Sequence, residues 1–261
     1  MKGFRETAVA GKAAELGVPL DAAVSGAGAG EAAGDGAFAA ADCSQENCPA
    51  AFLEARGLGL KTLGGYAYKN VDITLSAGQI YAVRGHNGSG KTALLLSCAG
   101  RMAFSEGRLR VGAAQLPHAR NAVQKSVGLA LFKGLNDLQE SLKVAYAVGA
   151  EFELYGRKPE KTAVSAYLRQ WQLRDCANVL VKDLTAEQSL QLGIALACVG
   201  KPQMIVVDDI EDQLTLAQSE QLMEALVALA HEQGTTVMVG CVERDLAAMA
   251  DGVCYLEKEG A

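Results

Sequence analysis

The rhythm of apolar positions in this 261-residue chain changes near residue 51. Before it, the stretch DAAVSGAGAGEAAGDGAFAAAD over 21–42 is Ala/Gly-rich, with one aromatic and no periodic apolar face. Burial in such a segment cannot offset its ordering entropy, so residues 1–50 are expected to form a low-complexity, disordered extension, with at most a short helix near 5–17. After it, strand-like and helix-like patterns alternate. Strands are predicted at 52–56, 71–75, 79–84, 108–111, 127–131, 203–208, 235–241 and 252–256. Helices are predicted at 91–100, 137–155, 160–173, 186–199, 216–233 and 243–250. The runs IYAV and MIVV are continuously apolar, as expected of strands covered on both faces of a parallel sheet. Residues 133–182 read as helix without a strand, which predicts a helical insert between two strands of an α/β core.

Composition narrows this picture in three ways. A chain that is 50% hydrophobic and 21% charged can bury one large core, or a core with a small satellite. A net charge of −6, with Lys and Arg scattered, argues against a broad nucleic-acid surface, so no nucleic-acid partner is expected. The opening MKGFRETAVAGKAAELGVPL carries charges throughout, and no run reaches the roughly 18 apolar residues of a membrane span. A soluble cytoplasmic chain is therefore expected, with any membrane role supplied by a partner. The seven cysteines include no C-x-x-C pair. Cys98, Cys198, Cys241 and Cys254 sit in apolar surroundings as small hydrophobes, and Cys43 with Cys48 is a weak candidate for a metal or a disulfide. Three widely spaced histidines argue against a histidine metal site.

The sharpest chemical signal follows the IYAV run. Gly85-His86-Asn87-Gly88-Ser89-Gly90-Lys91-Thr92 matches G-x-x-x-x-G-K-[ST], between a predicted strand and a predicted helix. Glycines let the backbone take positive φ and turn its N–H groups inward, and the helix N-terminus adds partial positive charge. Lys91 can reach the β- and γ-phosphates, and the Thr92 hydroxyl is placed to ligate Mg²⁺. By average residue usage the bare pattern arises by chance in on the order of 1% of chains this long, and its strand–loop–helix setting lowers that further. ATP and Mg²⁺ are the expected ligands. A second site candidate closes the MIVV strand, where Asp208 and Asp209 place two carboxylates at the strand edge that Mg²⁺ needs beside a phosphate loop.

With that loop placed, the chain from 51 to 261 resembles the ATP-binding cassette (ABC) ATPase family. LEARGLGLKTLGGYAYKNVDITLSAGQIYAV is similar to the family's opening β-subdomain, and SLKVAYAVGAEFELYG to the start of its helical subdomain. DLTAEQSLQLGIALACVGKPQMIVVDD resembles the signature helix and Walker B strand, and ADGVCYLEKEG the closing strand and turn. The resemblance implies an α/β phosphate-loop NTPase core, mostly parallel, with an antiparallel β-subdomain and a helical subdomain at about 133–182. It also implies a head-to-tail cassette dimer in which each ATP lies between one chain's phosphate loop and the other's signature helix. The implied partners are a second cassette, identical or not, and a transmembrane permease at the inner face of the membrane.

Several family positions are altered. By resemblance Asp208 would hold Mg²⁺ through water, and Asp209 stands in place of the general-base glutamate, one methylene shorter. A misplacement of about 1 Å can cost roughly 100-fold in rate. Thr185-Ala186-Glu187-Gln188 replaces the signature S-G-G-Q; Glu187 sets an anion where a partner's γ-phosphate arrives, repulsive unless the side chain turns away. The same residues read as a capping box, with Thr185 as N-cap and Gln188 at the third helical position. Phe132 falls at the family's loop glutamine and is expected to pack against the helical subdomain or a permease helix. Val242-Glu243 stands where the γ-phosphate histidine is expected, and His231 reads as a surface residue. Leu63 falls at the adenine-stacking aromatic, with Tyr66 and Tyr68 near enough to substitute. Ile210 to Thr215 departs from the family's loop after the Walker B strand.

Intact binding parts with altered catalytic parts predict an ATP-binding subunit of an ABC transporter whose hydrolysis is weak or partner-dependent. The alternative is a non-hydrolysing regulatory or structural cassette. A different phosphate-loop enzyme is disfavoured because no N-K-x-D guanine motif is present, and repair-type cassettes because long coiled coils are absent.

Overall fold

The structure, a computed structural model, describes residues 51–257. The extension expected over 1–50, with Cys43 and Cys48, lies outside the described residues.

The first strands form a hairpin. β1 (Ala51–Thr62) pairs antiparallel with β2 (Gly65–Ser76), and the chain turns at Leu63-Gly64. In β2 the residues Val71, Ile73 and Leu75 are buried while Asp72 and Thr74 face out, the period-two pattern of a sheet with one wet face. β4 (Glu106–Val111) pairs with the other edge of β1, and β5 (Ala114–Leu116) follows β4, giving the order β2-β1-β4-β5. The sequence pattern did not signal β5, nor the short helix α2 (Arg120–Ser126), because three and seven residues respectively are too few to show a period.

The second sheet is parallel. β3 (Ile80–Gly85), β6 (Val127–Leu129), β7 (Met204–Val207), β8 (Thr236–Cys241) and β9 (Gly252–Leu256) lie in the order β6-β7-β8-β3-β9. Successive residues of its central strands point into different cores. Val83, Val206 and Met238 join one cluster with α1 (Lys91–Cys98) and the antiparallel sheet. Ala82, Ile205, Val207, Val237 and Val239 join another with α5 (Ala186–Cys198) and α6 (Leu216–Gln233). The continuous apolar runs follow from this burial on both faces.

Between β6 and β7 lie α3 (Val144–Leu154) and α4 (Lys161–Gln170), then two single 3₁₀ turns leading to α5. Val144, Val148, Val164, Leu168, Leu173 and Leu192 form their own core. Phe152 and Tyr167 meet edge to face, 5.2 Å between ring centres, and Trp171 packs against both this core and the one beneath α5 and α6. The helix predicted from 137 begins only at Val144. Its first residues are held extended by pairing with a distant segment: Val181 N–H donates to Leu142 O at 2.9 Å and Val144 N–H to Val179 O at 3.1 Å. The last predicted helix shortens to α7 (Arg244–Ala247).

Candidate functional site

The phosphate loop joins β3, an inner strand of the parallel sheet, to α1. Gly90 is the N-cap of α1, with φ 93°, and a Cβ there would run into the Ala67 carbonyl of β2. Only glycine takes that conformation without strain and fits against the neighbouring strand. Lys91 is buried, and its Nζ donates to Gly85 O at 2.8 Å and His86 O at 3.2 Å, so the loop curls round its own ammonium. Ser89 is buried beside it, and its Oγ has no hydrogen-bond partner.

Thr92 faces β7 across the site. Its Oγ1 donates to Asp208 Oδ2 at 2.5 Å, while Asp208 Oδ1 is buried without a partner. Burial pushes the Asp208 carboxyl above the ordinary carboxylate range, and the charge of Asp209 adds to this, against the Thr92 hydrogen bond and the Lys91 charge. β7 is separated from β3 by β8, so the Asp208 side chain must cross β8 to reach Thr92. Gly240 on β8 leaves the gap, since a Cβ there would fall 2.7 Å from Asp208 Oδ1 and 3.1 Å from Leu95 Cδ1. Sequence reasoning missed Gly240, which sits inside an apolar strand with no motif around it.

Buried polar atoms nearly always have a partner, yet Ser89 Oγ in the loop and Asp208 Oδ1 on the carboxylate that Thr92 bonds have none. A loop with positive φ at Gly88 and Gly90, a helix N-terminus, a lysine, a hydroxyl and a carboxylate form a donor set that fits a nucleotide phosphate chain with Mg²⁺.

Asp209 follows Asp208 in the left-handed region, at φ 46°, half-buried. Glu211 turns back to accept from Val242 N–H and from Glu243 N–H, the latter at 2.9 Å, tying the turn after β7 to the turn after β8. Arg84 Nε donates to Val242 O at 3.0 Å, so the Val242-Glu243 turn is fastened from two sides. Lys133 Nζ meets Asp212 Oδ2 at 2.5 Å, and Asp212 first, then the charge of Asp209, raise the ammonium above its ordinary range.

Other predicted residues lie elsewhere. Thr185 and Gln188 form the capping box at the head of α5, with Thr185 Oγ1 accepting from Gln188 N–H at 3.2 Å and Gln188 Oε1 from Thr185 N–H at 3.1 Å. Glu187 turns toward α6, where Gln218 Nε2 donates to its Oε2 at 2.8 Å. Gln218 itself closes the capping box of α6 with Thr215, so the two helix starts are coupled. Phe132, expected against the helical subdomain or a permease helix, is instead 2% exposed in the core shared by α1 and the two sheets, beside which the insert has its own core. Tyr68 is buried, donates to Ser97 Oγ at 2.7 Å and has its phenol pushed up to about 12 by burial, which removes it as a base-stacking candidate. Tyr66 donates to Glu106 Oε1 at 2.7 Å with the Lys69 ammonium 4.8 Å from its ring centre, and Leu63 stands fully exposed at the hairpin tip. His231 is partly exposed and bonds Asp251 at 2.9 Å. Among the described residues no cluster of His, Cys, Asp and Glu is of a kind to hold a metal alone, and no helix is long and apolar enough to cross a membrane.

Comparison with known proteins places this geometry. Ribose import ATP-binding protein RbsA 1 of Rhizobium etli is 28% identical over 211 residues, covering 78% of this chain and 41% of that protein. ABC transporter ATP-binding protein NatA of Bacillus subtilis is 24% identical over 192 residues, covering 73% of this chain and 78% of that protein. The chain thus spans about two fifths of the length of the first of these relatives. Among solved structures, the ATP-binding cassette MJ0796, a dimer in a post-hydrolysis state bound to ADP and Pi, matches with TM-score 0.68 at 21% identity, over 79% of this chain and 94% of that one. CbiO1 of Clostridium perfringens, part of an ABC transporter complex, matches with TM-score 0.68 at 20% identity, over 80% of this chain and 85% of that one. These two likenesses establish the fold. The profile of the family described as ABC transporter matches residues 68–211, more than half of the sequence, and the chain belongs to that family.

Proposed function

We propose that the chain is an ATP-binding subunit of an ABC transporter that takes Mg-ATP at the loop Gly85, His86, Asn87, Gly88, Ser89, Gly90, Lys91 and Thr92. The observation that carries this is the join of Thr92 to Asp208 across Gly240, beside the buried Lys91. Lys91 and the loop N–H groups would neutralise the phosphates, and Thr92 with Asp208 would hold Mg²⁺. Magnesium there supplies Lewis-acid neutralisation of the phosphate oxygens. Asp209 would accept the proton from water, with little support from the positions of the family's glutamine and histidine, since Phe132 is buried and Val242-Glu243 is fixed by Glu211. Slow turnover follows, because catalysis of phosphoryl transfer is positioning and electrostatics.

A cassette partner would approach the α5 start at Thr185, Ala186, Glu187 and Gln188; Glu187 is drawn toward Gln218, which lessens its repulsion of a phosphate. A permease would meet the open groove of about 790 Å³ between the parallel sheet and α3, whose apolar rim includes Leu135, Leu154 and Tyr155. That contact would place the subunit at the inner face of the membrane. The test is phosphate release from the purified chain with Mg-ATP, beside Lys91→Ala, with bound nucleotide quantified. Nucleotide bound by the native chain and lost in the variant supports the reading, and equal binding in both overturns it.

A further inference from the structure

The turn after β6 is built to present one side chain. Phe132 anchors it in the core, Asn136 Oδ1 accepts from Phe132 N–H at 2.7 Å, and Asn136 Nδ2 donates to Ala130 O at 3.0 Å. The Asp137 carboxylate accepts from Gly134 N–H at 3.0 Å through both oxygens. Between these fixings Lys133 extends into solvent, its side chain 75% exposed, and ends on Asp212 at the turn that follows Asp208 and Asp209.

That turn carries four acids in five residues, Asp208, Asp209, Glu211 and Asp212, at the mouth of a site for a polyanion. Asp208 is engaged by Thr92, and Glu211 spends its charge on two backbone N–H groups. Lys133 pairs with Asp212 and also feels the charge of Asp209. An ion pair this exposed is held weakly, so a more highly charged anion can take the ammonium from Asp212. A terminal phosphate carries more charge and more acceptor oxygens than a carboxylate.

Resting on the nucleotide reading above, we propose that Lys133 is a specificity-determining residue of the site: its ammonium exchanges Asp212 for the terminal phosphate of a nucleoside triphosphate, and so distinguishes triphosphate from diphosphate. Asp212 is the competitor that holds the ammonium when a diphosphate is bound.

Titration calorimetry of the full chain with Mg-ATP and with Mg-ADP tests this without requiring turnover. Lys133→Met is expected to weaken Mg-ATP about tenfold, the loss of one charge-assisted contact, and to leave Mg-ADP within about twofold. Lys133→Arg keeps the charge and is expected to keep most of the preference. Asp212→Asn removes the competitor and is expected to tighten Mg-ATP by about twofold to fivefold, again sparing Mg-ADP. An unchanged ATP-to-ADP ratio in Lys133→Met, or a weaker Mg-ATP in Asp212→Asn, overturns the role of Lys133 alone. A native chain that binds neither nucleotide overturns the nucleotide reading and this inference with it.

Discussion

An alanine at position 240 would set a methyl group 2.7 Å from Asp208 Oδ1 and 3.1 Å from Leu95 Cδ1, so either the carboxylate or α1 must move. Overpacking of this kind costs about 1–3 kcal/mol, and displacing Asp208 from Thr92 would weaken the Mg²⁺ side of the proposed site. Gly240→Ala is therefore expected to lower Tm by several degrees and Mg-ATP affinity by about tenfold, read by thermal melts and titration. Affinity equal to the native chain would contradict the crossing of β8 by Asp208. Asp208 also sets a pH dependence. Burial raises its folded-state value, so the folded chain holds that proton more tightly than the unfolded one. The stability it contributes is fully present below the unfolded carboxyl value and is lost as pH rises through the raised folded value. Without nucleotide, the Tm of the native chain relative to Asp208→Asn is expected to fall across that window from acid toward neutral pH; a flat or rising difference would contradict it. The phosphate loop and the two acids were legible from residue type and spacing alone. Gly240 and Lys133 were not, because a glycine within TVMVGC and a lysine in ALFKG gain their meaning from strand order and from a turn fixed by Asn136.

At the scale of elements, two helix starts share one side chain. Gln218 closes the capping box of α6 and donates to Glu187 in the first turn of α5, so the helix after β7 reports on the helix that follows the insert. Gln218→Ala is expected to cost about 1 kcal/mol through the cap, and Glu187→Ala less. Because both residues share a hydrogen bond, the double variant should cost less than the sum by about 0.5 kcal/mol or more in urea unfolding. Strict additivity would contradict the coupling. Local sequence showed the cap of α5 at Thr185, and the same T-x-x-Q pattern stands unread at Thr215–Gln218. It could not show the bond between them, which joins positions 31 residues apart. The same limit explains the helix predicted from 137: the residues have a helical pattern, but Asp137 is taken by Gly134 N–H and residues 142–144 pair with 179–181.

At the scale of the molecule, the described residues fall into three hydrophobic cores. The parallel sheet is buried on both faces, the antiparallel sheet leans on α1, and the insert core joins the rest through Trp171, the only tryptophan in the sequence. The continuous apolar runs IYAV and MIVV were readable as burial on both faces, yet which residue entered which core depended on the order β6-β7-β8-β3-β9. The arrangement sets the loop at the end of β3 beside the acids at the end of β7, joined by the Thr92–Asp208 hydrogen bond. The most direct measurement is equilibrium dialysis of Mg-ATP against the purified chain and its Lys91→Ala variant. Saturable binding near one nucleotide per chain, lost in the variant, is the predicted result; no saturable binding, or binding unchanged by loss of the lysine, would contradict a nucleotide site at this loop.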